Sequence, residues 1–146
     1  MTSLVIDTNI VFSTLVSDKK VADFFNIFSQ KLLFVSGDFL FTEIEKHWNR
    51  IVSISNKPDE VIREKYNLIK SHIHLIEITL IPDEIYKEAI RICSPIDKDD
   101  IPYVAICIFL GIPMWTGDNK LRRGLERQGY FICTNTEEIA KKLLNL

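Results

Sequence analysis

Leu4-Val5-Ile6-Asp7-Thr8-Asn9 is an apolar run that stops abruptly at an acid. Such a run suits a short strand buried on both faces. Working outward, similar runs stand at Leu32-Leu33-Phe34-Val35, at residues 73–78, at Pro113-Met114-Trp115-Thr116 and at Tyr130-Phe131-Ile132-Cys133. The stretches between them read as helices. Residues 9–15 and 21–28 are helical, with Ser17-Asp18-Lys19 as the break. Residues 38–51 carry Leu40, Ile44, Trp48 and Ile51 at close to a 3.6 period. Pro58 opens a helix through residue 69, and Pro82 opens one that carries Ile85, Ala89 and Ile92. Residues 99–110 form a helix that Gly111 ends, and residues 120–127 a short basic helix closed by Gly129. Thr134 and Glu137 have capping-box spacing at the start of the last helix. Short apolar strands alternating with helices predict an α/β fold, a parallel sheet with helices on both faces. In such sheets function collects beyond the carboxyl ends of the strands, near the point where strand order reverses.

The chain has 146 residues, which fits one domain spanning 1–146. Apolar residues are 47% and charged residues 26%, ordinary values for a globular core. Five Gly and five Pro exclude low-complexity sequence. No apolar stretch approaches about eighteen residues, so no membrane-spanning helix is expected, and the acid at Asp7 comes too early for a signal peptide. Cys93, Cys107 and Cys133 are an odd set without CxxC spacing. They argue against a disulfide framework and suit a cytoplasmic location. A net charge of −2 disfavours a general polyanion-binding coat but leaves room for a local basic stripe.

Acids follow the strands. Asp7-Thr8-Asn9 follows the first and Gly117-Asp118-Asn119 the fourth. Asp97-Lys98-Asp99-Asp100 precedes the helix that feeds strand four, and Glu43 lies in the helix after strand two. Each has a plain alternative reading. Asp7 suits a helix cap, Asp118 a turn, Asp99 or Asp100 a helix N-terminus, and Glu43 a solvated position paired with His47. Together, four carboxylate groups at one end of a sheet would repel one another unless a divalent cation joined them, and oxygen ligands of this kind select Mg²⁺ or Mn²⁺.

Asp7-Thr8-Asn9, Thr42-Glu43-Ile44-Glu45, Asp97-Lys98-Asp99-Asp100-Ile101-Pro102-Tyr103-Val104-Ala105 and Trp115-Thr116-Gly117-Asp118 occur in this order over most of the chain. In these pieces the chain resembles the PIN-domain nucleases, especially the bacterial and archaeal group that includes the toxins of toxin–antitoxin pairs. The resemblance implies a five-stranded parallel sheet of order 3-2-1-4-5, with the first and fourth strands adjacent. It implies a Mg²⁺ (or Mn²⁺) site of Asp7, Glu43, Asp100 and Asp118, supported by Thr8, Asn9, Thr116 and Asn119. Asp100 is preferred to Asp97 and Asp99 because its spacing to Ala105 matches the family's acid-to-alanine helix start. It further implies metal-dependent hydrolysis of single-stranded RNA, a cognate antitoxin protein and a homodimer. Some members carry another acid soon after the fourth-strand Asp, where this chain has Asn119 and Lys120.

A metal held by such acids lowers the pKa of water and offsets charge on the phosphodiester. Lys46 and Arg50 on the Glu43 helix, and Lys120, Arg122 and Arg123 after Asp118, are candidates for RNA phosphates, against the plainer reading of a solvated basic face. His72 and His74 lack a third ligand for zinc. Two other classes use acids at strand ends. A two-component receiver needs an Asp after strand three and a Lys after strand five, where Glu77-Ile78-Thr79 and Cys133-Thr134-Asn135 stand. A haloacid-dehalogenase-type phosphatase needs an acid two residues after the first Asp, where Asn9 stands. A catalytically weak RNA- or partner-binding module of the same fold is the non-enzymatic alternative.

Overall fold

In the computed structural model, which describes residues 2–16 and 19–144, five parallel strands lie in the order β3-β2-β1-β4-β5. They are β1 (Thr2–Ile6), β2 (Leu32–Gly37), β3 (Ile73–Ile76), β4 (Met114–Trp115) and β5 (Cys133–Thr134). This is the order that the motifs implied. Register runs from Thr2 opposite Leu32 to Val5 opposite Val35, and β4 joins on the other side with Ile6 opposite Trp115. Strand alternation sorts the side chains into two cores. Leu4, Ile6, Phe34 and Trp115 enter one, whereas Val5, Val35 and Met114 enter the other. Both faces are therefore dry, as a parallel sheet between helices requires.

The helices are α1 (Thr8–Leu15), α2 (Lys19–Phe28), α3 (Leu40–Lys46), α4 (Trp48–Ser55), α5 (Asp59–Lys70), α6 (Asp83–Cys93), α7 (Ile101–Leu110), α8 (Asn119–Glu126) and α9 (Thr136–Leu143). The expected break at Ser17-Asp18-Lys19 falls largely outside the described residues, and α2 begins at Lys19. The single helix expected over residues 38–51 is two. His47 donates its N–H to the Ile44 carbonyl, closing α3 with a tight turn. The buried face Leu40, Ile44, Trp48 and Ile51 nevertheless runs through the break. Just past the break Trp48 is anchored to α5: its indole donates to Asp59 Oδ2 at 2.9 Å, and the Arg63 guanidinium lies 3.6 Å from its ring centroid.

Other boundaries shift for local reasons. Three residues, Lys98–Asp100, form a 3-10 turn before α7, so that helix starts later than expected. Strand five is displaced toward the chain's end, because the Tyr130 N–H turns back to the Leu125 carbonyl to close α8 while Gly129 takes φ +87°. Thr134 is consequently a strand residue, and the cap of α9 falls to Asn135, whose Oδ1 accepts the Glu138 N–H at 2.9 Å. Gly111 ends α7 at φ +68°, as its position suggested. Cys93, Cys107 and Cys133 are buried free thiols. Among the described residues no helix is long and apolar enough to cross a membrane.

Candidate metal centre

β1 and β4 are hydrogen-bonded neighbours, and each delivers a carboxylate where it ends. Asp7 follows β1 and caps α1, its Oδ1 accepting the Ile10 N–H at 3.1 Å. Asp118 follows β4 and caps α8, its Oδ1 accepting the Leu121 N–H at 3.0 Å. Thr116 Oγ1 in turn accepts the Asp118 N–H at 3.1 Å, which fixes the turn. The capping reading of Asp7 is thus correct, and Asp118, read as a turn residue, is a cap as well; capping does not compete with the site reading. A carboxylate capping a helix directly after a parallel strand necessarily sits at the sheet's carboxyl end.

Asp100 comes from the start of α7 and is 8% exposed; Asp7 is 4% exposed. Burial raises the Asp100 pKa to about 7, with further upward pushes from Asp7, Asp97, Asp118 and Asp99. Asp7 is raised to about 6, again chiefly by burial, with Asp118 adding to it against the opposing hydrogen bonds of nearby amides. Asp7 and Asp100 are thus poorly solvated acids, and the exposed Asp118 lies near enough to act on both as a like charge. Asp97 also acts on Asp100, but its Oδ1 accepts the Asp99 N–H at 2.9 Å and organises the 3-10 turn.

Asp7, Glu43, Asp97, Asp99 and Asp100 line one pocket of about 540 Å³, together with Thr8, Asn9, Phe39, His47, Lys98, Pro102 and Tyr103. Asp118 is joined to it electrostatically rather than as a wall. Glu43 is half-exposed on α3, its Oε2 4.0 Å from His47 Nε2. Thr116 is buried beneath the Asp118 turn, and Asn119 is exposed as the first residue of α8.

The carboxylates fit a hard divalent cation in charge and donor type. Their placement is looser than a finished coordination sphere. Among the described residues no three His, Cys, Asp or Glu side chains group closely enough to hold an ion. Asp7 and Asp118 cap their helices through Oδ1, which leaves Oδ2 of each as the oxygen that an ion could take.

Of the basic residues, Lys46, Arg50, Lys120 and Arg123 are exposed. The Arg50 guanidinium lies 5.8 Å from the centroid of Phe12 on α1. Arg122 is engaged differently from a free phosphate ligand. Its Nε donates to Glu126 Oε1 at 3.0 Å and its Nη2 to Glu138 Oε2 at 3.0 Å, which ties α8 to α9. The sequence reading gives two pocket residues no role. Tyr103 shares a 2.7 Å hydrogen bond with Thr8 Oγ1, and Phe39 packs edge-on to Tyr103. Phe39 belongs to no motif, and Tyr103 stands inside the Asp97–Ala105 motif without a role of its own.

A 3-2-1-4-5 parallel sheet with acids clustered where the strand order reverses defines a class, α/β proteins built around an acidic site at the switch point. The PIN domain family matches residues 5–143, and the chain belongs to that family, one of nucleases. The fold is similar to that of a chain in the crystal structure of VapBC2 from Rickettsia felis bound to a DNA fragment from their promoter. That comparison has a TM-score of 0.67 and 14% identity, and it covers 92% of this chain and 98% of the other. No curated protein matches the sequence.

Proposed function

We propose that the protein is a Mg²⁺- or Mn²⁺-dependent endoribonuclease that cuts single-stranded RNA, and that it is the toxin of a toxin–antitoxin pair. The observation that carries this reading is that Asp7 and Asp100, both buried, line one pocket with Glu43, where burial and neighbouring acids hold their pKa values up. Acids held this way gain most from a cation, which relieves their repulsion and displaces their protons. When bound, a divalent ion would supply the Lewis acidity that phosphodiester hydrolysis needs.

Asp7, Asp100 and Asp118 would hold the ion, with Glu43 closing from α3. Thr8, Asn9, Thr116 and Asn119 would steady these acids and the turns that carry them. Lys46, Arg50, Lys120 and Arg123 would meet RNA phosphates, giving affinity with little base preference. Arg122 would reach a phosphate only by leaving Glu126 and Glu138. The likeness to VapBC2 supports an antitoxin protein as partner, and a second copy of this chain and a cytoplasmic site of action complete the proposal.

Purified protein should cut single-stranded RNA internally with Mg²⁺ or Mn²⁺, and should release no phosphate from small phosphomonoesters. Cleavage at full rate in excess EDTA would overturn the metal mechanism. Retained RNA binding without cleavage under all ion conditions would favour a binding module instead.

A further inference from the structure

Gly37 is the last residue of β2, and its missing side chain is used by Phe39. A Cβ at Gly37 would lie 2.2 Å from Phe39 Cε1 and 2.9 Å from both Cδ1 and Cζ. The ring therefore rests on the strand's backbone at a place that no larger residue would leave open. It also meets the Tyr103 ring, with centroids 5.4 Å apart and planes at 63°. Tyr103 is 5% exposed and bonded to Thr8, so this support is itself fixed. Phe39, by contrast, is half-buried and lines the same pocket as Asp7, Glu43 and Asp100. A pure packing role explains why Tyr103 is dry. Phe39 packs against the same core as well, yet part of the residue stays open to the acidic pocket.

We propose that Phe39 is a stacking platform for an unpaired base of the RNA strand, the base next to the phosphodiester held at the acids. The inference rests on the nuclease reading and names how its substrate is gripped. A nucleotide has a charged half and a flat aromatic half, and this pocket offers acids suited to a cation–phosphate pair beside an aromatic ring. Phosphate recognition carries no base information, whereas a π-face accepts any unstacked base. Bases in a duplex are already stacked on their neighbours, so the platform selects single-stranded substrate. Gly37 and Tyr103 hold the ring in advance, which lowers the ordering cost of binding.

The test uses Phe39→Leu, which keeps apolar bulk over Gly37, and Phe39→Trp, which keeps a π-face. Cleavage of a single-stranded oligoribonucleotide is measured in Mg²⁺, along with copies in which one abasic residue is moved through every position. Phe39→Leu should lose roughly 5- to 100-fold in kcat/KM, mainly through KM, as removal of one stacking partner does. Phe39→Trp should keep most of the activity. At one position beside the cut, the abasic residue should slow the wild type and erase its advantage over Phe39→Leu. Equal kcat/KM for wild type and Phe39→Leu on the intact strand would overturn the proposal. So would a deficit of the same size on every abasic substrate, which would return Phe39 to packing. A wild type that cuts no single-stranded RNA would overturn the nuclease reading and this inference together, whereas cleavage with an unmoved Phe39→Leu removes the platform alone.

Discussion

Thr8 and Tyr103 share a hydrogen bond of 2.7 Å although 95 positions separate them in the chain. Thr8 follows Asp7 directly, and Tyr103 lies one turn into the structure that Asp100 begins. The bond thus links the segments that carry the two buried acids. Burial holds the Tyr103 phenol up at about 12, so it stays protonated and able to bond across the working pH range.

Tyr103→Phe keeps the ring and removes this link. A part-buried hydrogen bond of this kind contributes about 1 kcal/mol, or about 3 °C in melting temperature for a domain of this size. If the link also spaces the acids, the Mg²⁺ concentration for half-maximal thermal stabilisation should rise severalfold. A Thr8→Ser variant, which keeps the hydroxyl, should stay near wild type in the same titration. An unchanged Mg²⁺ midpoint in Tyr103→Phe would confine the bond to stability.

Asp100 and Asp7 give the metal-free protein a pH signature. An acid whose pKa is higher in the folded than in the unfolded chain opposes folding once it is ionised. That opposition is full above about pH 7 and fades as the pH falls toward the unfolded value of about 4. In EDTA the protein should therefore melt higher at about pH 5 than at about pH 8. Asp100→Asn should flatten this slope and raise the pH 8 melting temperature by several degrees, if it relieves about 1 kcal/mol or more. The same variant should lose at least about 100-fold in RNA cleavage, and Asp97→Asn much less. Melting curves across pH, with and without Mg²⁺, check the first part, and a reversed ranking of the two variants would point to Asp97 as the ligand.

Arg122 and Arg123 should separate cleanly. Arg122→Ala breaks the ties to Glu126 and Glu138 and should cost up to about 1 kcal/mol of stability, since these ion pairs are partly solvated. Arg123→Ala should leave the melting temperature alone and lower the salt slope of RNA binding by roughly one unit. Fluorescence anisotropy at several salt concentrations reads the slope. If Arg122→Ala instead lowers the slope with no change in melting temperature, its ion pairs yield to RNA.

Gly37→Ala should act through Phe39. The added methyl group overlaps the ring and must push it aside, at a cost of about 1–3 kcal/mol. Its loss of RNA cleavage, corrected for folded fraction, should match that of Phe39→Leu. A fully active Gly37→Ala protein would show that the seat of the ring does not matter to the reaction.

The strand–helix alternation and the acids behind the strands were legible in the linear chain because both follow from local rules. An apolar run such as Leu4–Ile6 must be buried on two faces, and an acid such as Asp7 or Asp118 at a strand-to-helix step caps the helix that follows. The order 3-2-1-4-5 came from motif resemblance, and the tertiary pairing of β1 with β4 is what brings Asp7 and Asp118 into electrostatic reach. Where packing outweighs local preference, the chain alone was silent or misleading. The helix breaks at His47, next to Trp48, which is held by Asp59 and Arg63 on another helix. Arg122 is bound because α9 brings Glu138 to it, and Phe39 lines the pocket with its ring seated against Gly37 and Tyr103. Periodicity and capping act within a few residues and can be read from neighbours. Ion pairs, ring contacts and the depression of a carboxylate's acidity depend on groups tens of residues away, which meet only when the sheet closes on its helices.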